Sequence, residues 1–148
     1  MDNPGLAGAV VIAAIVLVAL VISSIVAASV SRRTQKSAAI AMMNKQLLKV
    51  NALAVECPYL KDDDFCNGWK RELTSVDDRY RRYHNYCSMV FNLIENLWDY
   101  YAGKEKKIEH CLDVKELVLR HKRWWVSEVQ NKEGYRKEFR AFVNGYLS

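Results

Sequence analysis

Proline and glycine are scarce in this chain. Two prolines and six glycines interrupt 148 residues, so few positions force a turn or a break in a helix. Acid is missing from a long stretch: after Asp2 the next carboxylate is Glu56. Sustained period-two alternation is missing as well, so strand signals are absent. There is no Gly-rich phosphate loop, no H-E-x-x-H pair and no nucleophile elbow. No basic stripe with interleaved aromatics appears, which argues against nucleic-acid binding. These absences point away from nucleotide-dependent, zinc-protease and hydrolase chemistry. They leave an all-α chain, expected not to be an enzyme and to need no cofactor.

What the chain does have is one long apolar run. Leu6 to Val30 is 25 residues of Leu, Ala, Val, Ile and Gly, broken only by Ser23, Ser24 and Ser29. A bilayer core needs roughly 20 apolar residues as a helix. In hydrocarbon a single span must satisfy its own backbone, which only a helix does. The spacing therefore predicts one transmembrane helix over 6–30, with Asn3 and Pro4 as its start signal. Gly8, Ala13, Ala14, Ala19, Ser23, Ala27 and Ala28 give it small residues that permit close approach of another helix. A cleaved signal peptide is the competing reading, with Ala27-Ala28-Ser29 as a cleavage site. It fits less well, because the run is too long and Met1–Gly5 carries no Lys or Arg.

The formal charge of +5 is unevenly spread. From Glu56 onward 17 Lys and Arg face 16 Asp and Glu, and the other five basic residues are Arg32, Arg33, Lys36, Lys45 and Lys49. Basic residues are retained on the cytoplasmic side of a span. The expected topology is single-pass in the cell (inner) membrane, with residues 1–5 outside and the C-terminal domain in the cytoplasm. Arg32, Arg33 and Lys36 are placed to meet anionic lipid headgroups, each basic side chain contributing about 1 kcal/mol near the surface. A topology signal alone is the simpler account of them.

Helical patterning continues after the span. Residues 31–56 read as a basic juxtamembrane helix in which Ile40, Met43, Leu47, Val50 and Ala54 recur at 3, 4, 3, 4. The seam suits packing within the chain's own domain or pairing with a neighbour. Pro58 ends this helix, and Asp63 or Asp64 is the expected cap of the next. Residues 57–148 form the helical soluble domain, expected as a bundle of four or five helices. Its best stripe is Trp69, Leu73, Val76, Tyr80, Tyr83, Cys87, Val90, Ile94, Leu97 and Tyr101. One helix, or two collinear ones, is predicted over 64–102, with Gly68 and Ser75 as weak points and Gly103 as C-terminal cap. A charged short helix or loop covers 104–112. Asp113 then caps a helix running to about Gln130. Asn131–Gly134 makes a turn, and a last helix carries Tyr135, Phe139, Phe142, Val143, Tyr146 and Leu147.

Candidates for chemistry are few. Cys57, Cys66, Cys87 and Cys111 lack C-x-x-C spacing, and a cytoplasmic location predicts reduced thiols. His84 with Cys87 and His110 with Cys111 have too little pattern to predict a zinc site. His84, His110 and His121 read as surface or boundary histidines. Glu95, near Asn92 and among aromatics, is a candidate partly buried carboxylate, with a solvent-facing position the simpler reading. Trp124 and Trp125 offer one ring to the core and one to a neighbour, or both to a wide core face.

The segment Tyr83 to Glu95 (YHNYCSMVFNLIE) and the later Arg123-Trp124-Trp125, behind a single N-terminal anchor, resemble small bacterial or phage-encoded single-pass membrane proteins of unknown function with a helical soluble domain. The resemblance implies anchorage and a helical bundle, and supplies no reaction. The expected function is a membrane-anchored interaction or assembly protein, with a protein partner or a homo-oligomer as its counterpart. The candidate interface is Trp124, Trp125, Ile40, Met43 and Leu47. The alternative is an accessory subunit of a larger membrane complex.

Overall fold

The computed structural model describes residues 4–127 and 134–148, with side chains from Leu17 onward. The described residues are all-helical, as the lack of strand signals requires. The chain divides into two units, Met1–Ala41 and Met42–Ser148.

The described part of the first unit is helix. It belongs to α1, which runs Pro4–Glu56. Proline stands at the first helical position, where its missing N–H leaves no bond unmade; Asn3 lies outside the described residues. Every described side chain from Leu17 to Val30 is exposed, Leu17 at 65% and Val30 at 56%. Three hydroxyls in and just after this stretch turn back onto the helix: Ser24 donates to Leu20 O at 2.8 Å, Ser29 to Val26 O at 2.8 Å and Thr34 to Val30 O at 3.1 Å. Ser24 and Ser29 are thereby satisfied without water.

The second unit takes in the last turns of α1 and everything after them. Here Met43, Val50 and Ala54 are buried and Leu47 is partly buried against the core. From Met43 on, the seam read from 3, 4, 3, 4 spacing is thus a core face. Among the described residues six α-helices follow: α2 (Asp63–Asn67), α3 (Asp78–Tyr100), α4 (Glu105–Glu109), α5 (Val114–Arg120), α6 (Lys122–Ser127) and α7 (Lys137–Gly145). Single 3₁₀ turns occupy Pro58–Lys61 and Arg71–Ser75.

Two expected helices are divided, which raises the count above four or five. The predicted helix over 64–102 stops at Gly68 and restarts at Asp77, whose carboxylate accepts from Arg79 N at 2.8 Å. Val76, a member of the expected stripe, is 77% exposed because it lies between the two caps. The helix expected over 113–130 breaks at His121, and its last residues, like most of the 131–134 turn, lie outside the described ones. Asp113 does cap it, accepting from Glu116 N at 2.9 Å. The cap of α2 is Asp62 rather than Asp63 or Asp64: Asp62 Oδ1 accepts from Phe65 N at 2.7 Å. Asp63 and Asp64 fall in the first turn, where negative charge meets the positive helix end.

From Asp78 onward the predicted register holds. Tyr83, Cys87, Val90, Ile94 and Leu97 are all buried, and Tyr86, Phe91 and Leu93 widen the stripe. The opposite face carries Asp78, whose carboxylate bonds Arg82 Nε at 2.7 Å and also Arg81. Around α3 the other helices each contribute inner residues: Ile108 from α4, Val114 and Val118 from α5, Trp124 and Trp125 from α6, Phe139 and Val143 from α7. Fully burying one such large side chain contributes about 1.5–3 kcal/mol. The end of α3 is set by Gly103, at φ +71°, whose N–H bonds Trp98 O at 2.8 Å. This is the left-handed helix stop that the sequence placed at this glycine.

Candidate functional site

Three groups of residues stand out for function, and each can be built from its own helix. Arg32, Arg33 and Lys36 are exposed in the first unit. They follow the apolar stretch on the same unbroken helix. Spacings of one and four residues keep two of them on one side and the third alongside.

The second group is the candidate interface. Trp124 and Trp125 are 2% and 4% exposed. Successive residues on a helix normally face different ways, yet both indoles find cover because Phe91 stands against both. Its ring stacks on Trp124 at 5.3 Å and on Trp125 at 4.6 Å between centroids. Trp124 Nε1 donates to His84 Nδ1 at 3.1 Å, and Trp125 Nε1 to Asn144 Oδ1 at 2.9 Å. Their burial moves the candidate interface away from these residues. Met43 and Leu47 are likewise taken up by the chain's own core, while Ile40, in the first unit, is 42% exposed. What the 42–56 stretch leaves outward includes Leu48 at 70% and Val55 at 79% exposed. Sequence reasoning passed over these two because they fall off the dominant seam.

The third group is a polar cluster inside the bundle. His121 is fully buried, correcting its reading as a surface or boundary residue. It sits at the break between α5 and α6, where its backbone leaves helical geometry. Nδ1 lies 3.0 Å from the Tyr83 hydroxyl, and the ring stands edge-on to Tyr86 at 5.6 Å. Nε2 finds no hydrogen-bond partner among the described residues. Burial, helped by the neighbouring Arg120 charge, pulls the imidazole pKa down to about 4. The neutral ring is then the form the fold accepts. Burial also pushes Tyr83 far above the ordinary phenol range and Tyr86 up to about 12.

The cysteines divide in the same way. Cys57, Cys66 and Cys87 are buried free thiols, while Cys111 is exposed. Cys66 Sγ donates to Leu60 O at 3.4 Å. Burial raises the pKa of both Cys66 and Cys87, which keeps them as thiols and unreactive. Among the described residues no three His, Cys, Asp or Glu side chains converge as a metal site requires. His84 is committed to Trp124, and Cys111 lies 3.4 Å from the Tyr101 hydroxyl.

Glu95 is more enclosed than a solvent-facing reading implies, its side chain 22% exposed. Arg136 approaches it at 3.7 Å, pairs with Asp99 and lies over the Trp98 ring at 5.3 Å. Asn92 Oδ1 accepts from the Tyr135 hydroxyl at 2.9 Å. The carboxylate is therefore part of a clasp holding the start of α7 to α3, a structural task.

Comparison of this chain with protein families, with characterised proteins and with solved structures finds no match.

Proposed function

We propose that this is a single-pass membrane-anchored helical protein whose task is interaction or assembly rather than catalysis. The observation that carries the reading is the exposure of the apolar stretch. The described residues 17–30 are apolar or small, uncharged, and exposed all round the helix. An apolar surface of this extent marks a membrane or a protein partner, and the whole apolar run from Leu6 to Val30, 25 residues within one helix, is long enough to cross a bilayer. Arg32, Arg33 and Lys36 follow it and favour an orientation with the bundle in the cytoplasm, where they would meet anionic headgroups. The bundle itself engages His84, His121, Trp124, Trp125 and Glu95 in internal contacts, which is how a scaffold uses such groups.

An accessory subunit of a larger membrane complex is the second reading. It is favoured by the exposed small residues Ala19, Ser23, Ala27 and Ala28, which allow another membrane helix to come close. The deciding experiment is extraction of the full chain from membranes in mild detergent, followed by native sizing. Resistance to alkaline washing is expected, with release only by detergent. A discrete homo-oligomer supports the first reading, and co-purification in fixed stoichiometry with other subunits supports the second. A chain released by alkali alone overturns both. A C-terminal reporter active only outside the cytoplasm reverses the orientation.

A further inference from the structure

The water-side turns of α1 carry two faces about a third of a turn apart. One is buried in the bundle through Met43, Val50 and Ala54. The other is exposed and consists of Asn44, Leu48, Asn51, Ala52 and Val55, with Ala41 just before them. Asn44, Leu48, Asn51 and Val55 recur at 4, 3, 4, the spacing at which one helix meets another along its length. The nearby charges, Lys45, Lys49 and Glu56, fall to one side of this strip. A face turned to water is ordinarily kept polar, yet Leu48 and Val55, seven residues apart on this strip, are 70% and 79% exposed.

We infer that this strip is the contact between two parallel copies of the chain. The strip bears no charge, so it calls for neither an acidic nor a basic partner. Its polar members are amides, and an amide has both a donor and an acceptor. Asn44 opposite Asn44, and Asn51 opposite Asn51, can pair only when two copies run parallel and in register, the use to which a buried seam asparagine is suited. Anchoring supplies that arrangement. Copies held by the same membrane span point the same way and share a thin layer, which raises their effective concentration. That offsets the small apolar area of two side chains per copy. The inference rests on the anchored reading of the function and names its partner.

Disulfide trapping in native membranes tests it. The full chain carrying Cys111→Ser, to silence the exposed native thiol, receives Leu48→Cys, Val55→Cys or Lys49→Cys singly. Mild oxidation should give covalent dimer from Leu48→Cys and Val55→Cys at least ten-fold faster than from Lys49→Cys. Adding Leu48→Lys to the Val55→Cys chain should abolish trapping while leaving helical content unchanged, since Leu48 touches solvent. Equal trapping at all three positions, or trapping at Val55→Cys that survives Leu48→Lys, overturns the parallel seam. Absence of trapping with co-purified subunits in fixed stoichiometry overturns it while leaving the anchored-subunit reading intact. Absence of trapping with a monomeric, partnerless chain overturns both.

Discussion

The hydroxyl of Tyr83 and Nδ1 of His121 meet 3.0 Å apart inside the bundle, across 38 residues of sequence. The bond joins the first half of α3 to the break between α5 and α6, with both side chains withdrawn from solvent.

Acid should loosen this join. In the unfolded chain His121 titrates near 6.5, and in the fold near 4. Between those values the unfolded state binds more protons, so stability falls as pH drops through that window. It is fully present above about 6.5 and lost by about 4. The difference amounts to on the order of 3 kcal/mol. Urea melts of the detergent-solubilised chain at pH 7, 5.5 and 4 measure it. His121→Phe should flatten the slope over this interval, and an unchanged slope would sink the assignment.

Ile94→Asp should unfold the bundle. Ile94 is fully buried on α3, and a carboxylate there has no compensating partner, a cost of several kcal/mol. Arg81→Asp on the opposite, exposed face should cost little, as most surface changes do. Thermal melts followed by helical signal separate the two, and similar melting temperatures would remove the basis for the α3 register.

Asn96 Nδ2 donates to Gln46 Oε1 at 3.0 Å, tying α3 to the C-terminal part of α1. Replacing either residue by Ala should cost about 1 kcal/mol, with comparable coupling in a double-mutant cycle. Strict additivity would show that the bond is not formed in solution.

At the end of α3, Ala102 adopts φ 51°, a left-handed conformation that a side chain resists. Ala102→Gly should stabilise the protein by about 1 kcal/mol. Gly103→Ala should do the reverse, since its added carbon would lie 3.3 Å from Trp98 Nε1 at φ +71°. Chemical melts of the pair give opposite signs if the turn is formed as described.

Alkylation distinguishes the thiols. Cys111 should react under native conditions, and Cys57, Cys66 and Cys87 only after denaturation, because they are buried. Intact-mass counting of adducts checks this, and early modification of Cys87 would contradict a closed core.

The α3 face was legible because Tyr83, Cys87, Val90, Ile94 and Leu97 share one 3.6-residue period, and burial follows that period directly. The boundaries were less so. Gly68 and Asp77 compete with a stripe that continues in sequence through Val76, and local capping wins over periodicity there. His121 escaped because period alone places it on the inner side, while its polarity argues for the boundary. The Tyr83 hydroxyl that settles the matter comes from 38 residues away. The tryptophan pair was left between two readings for the same reason. Two successive residues are both buried only because Phe91 and the flanking helices cover them.

That shared ring has an optical consequence. Phe91 stacks on both indoles, and Trp124 is tilted against His84 at 5.7 Å. Aromatic rings fixed in such an asymmetric array give near-ultraviolet circular dichroism that vanishes when packing loosens, even where the helices persist. Near- and far-ultraviolet spectra recorded side by side will therefore tell a variant with a softened core from one that has lost its helices, with no label added to the chain.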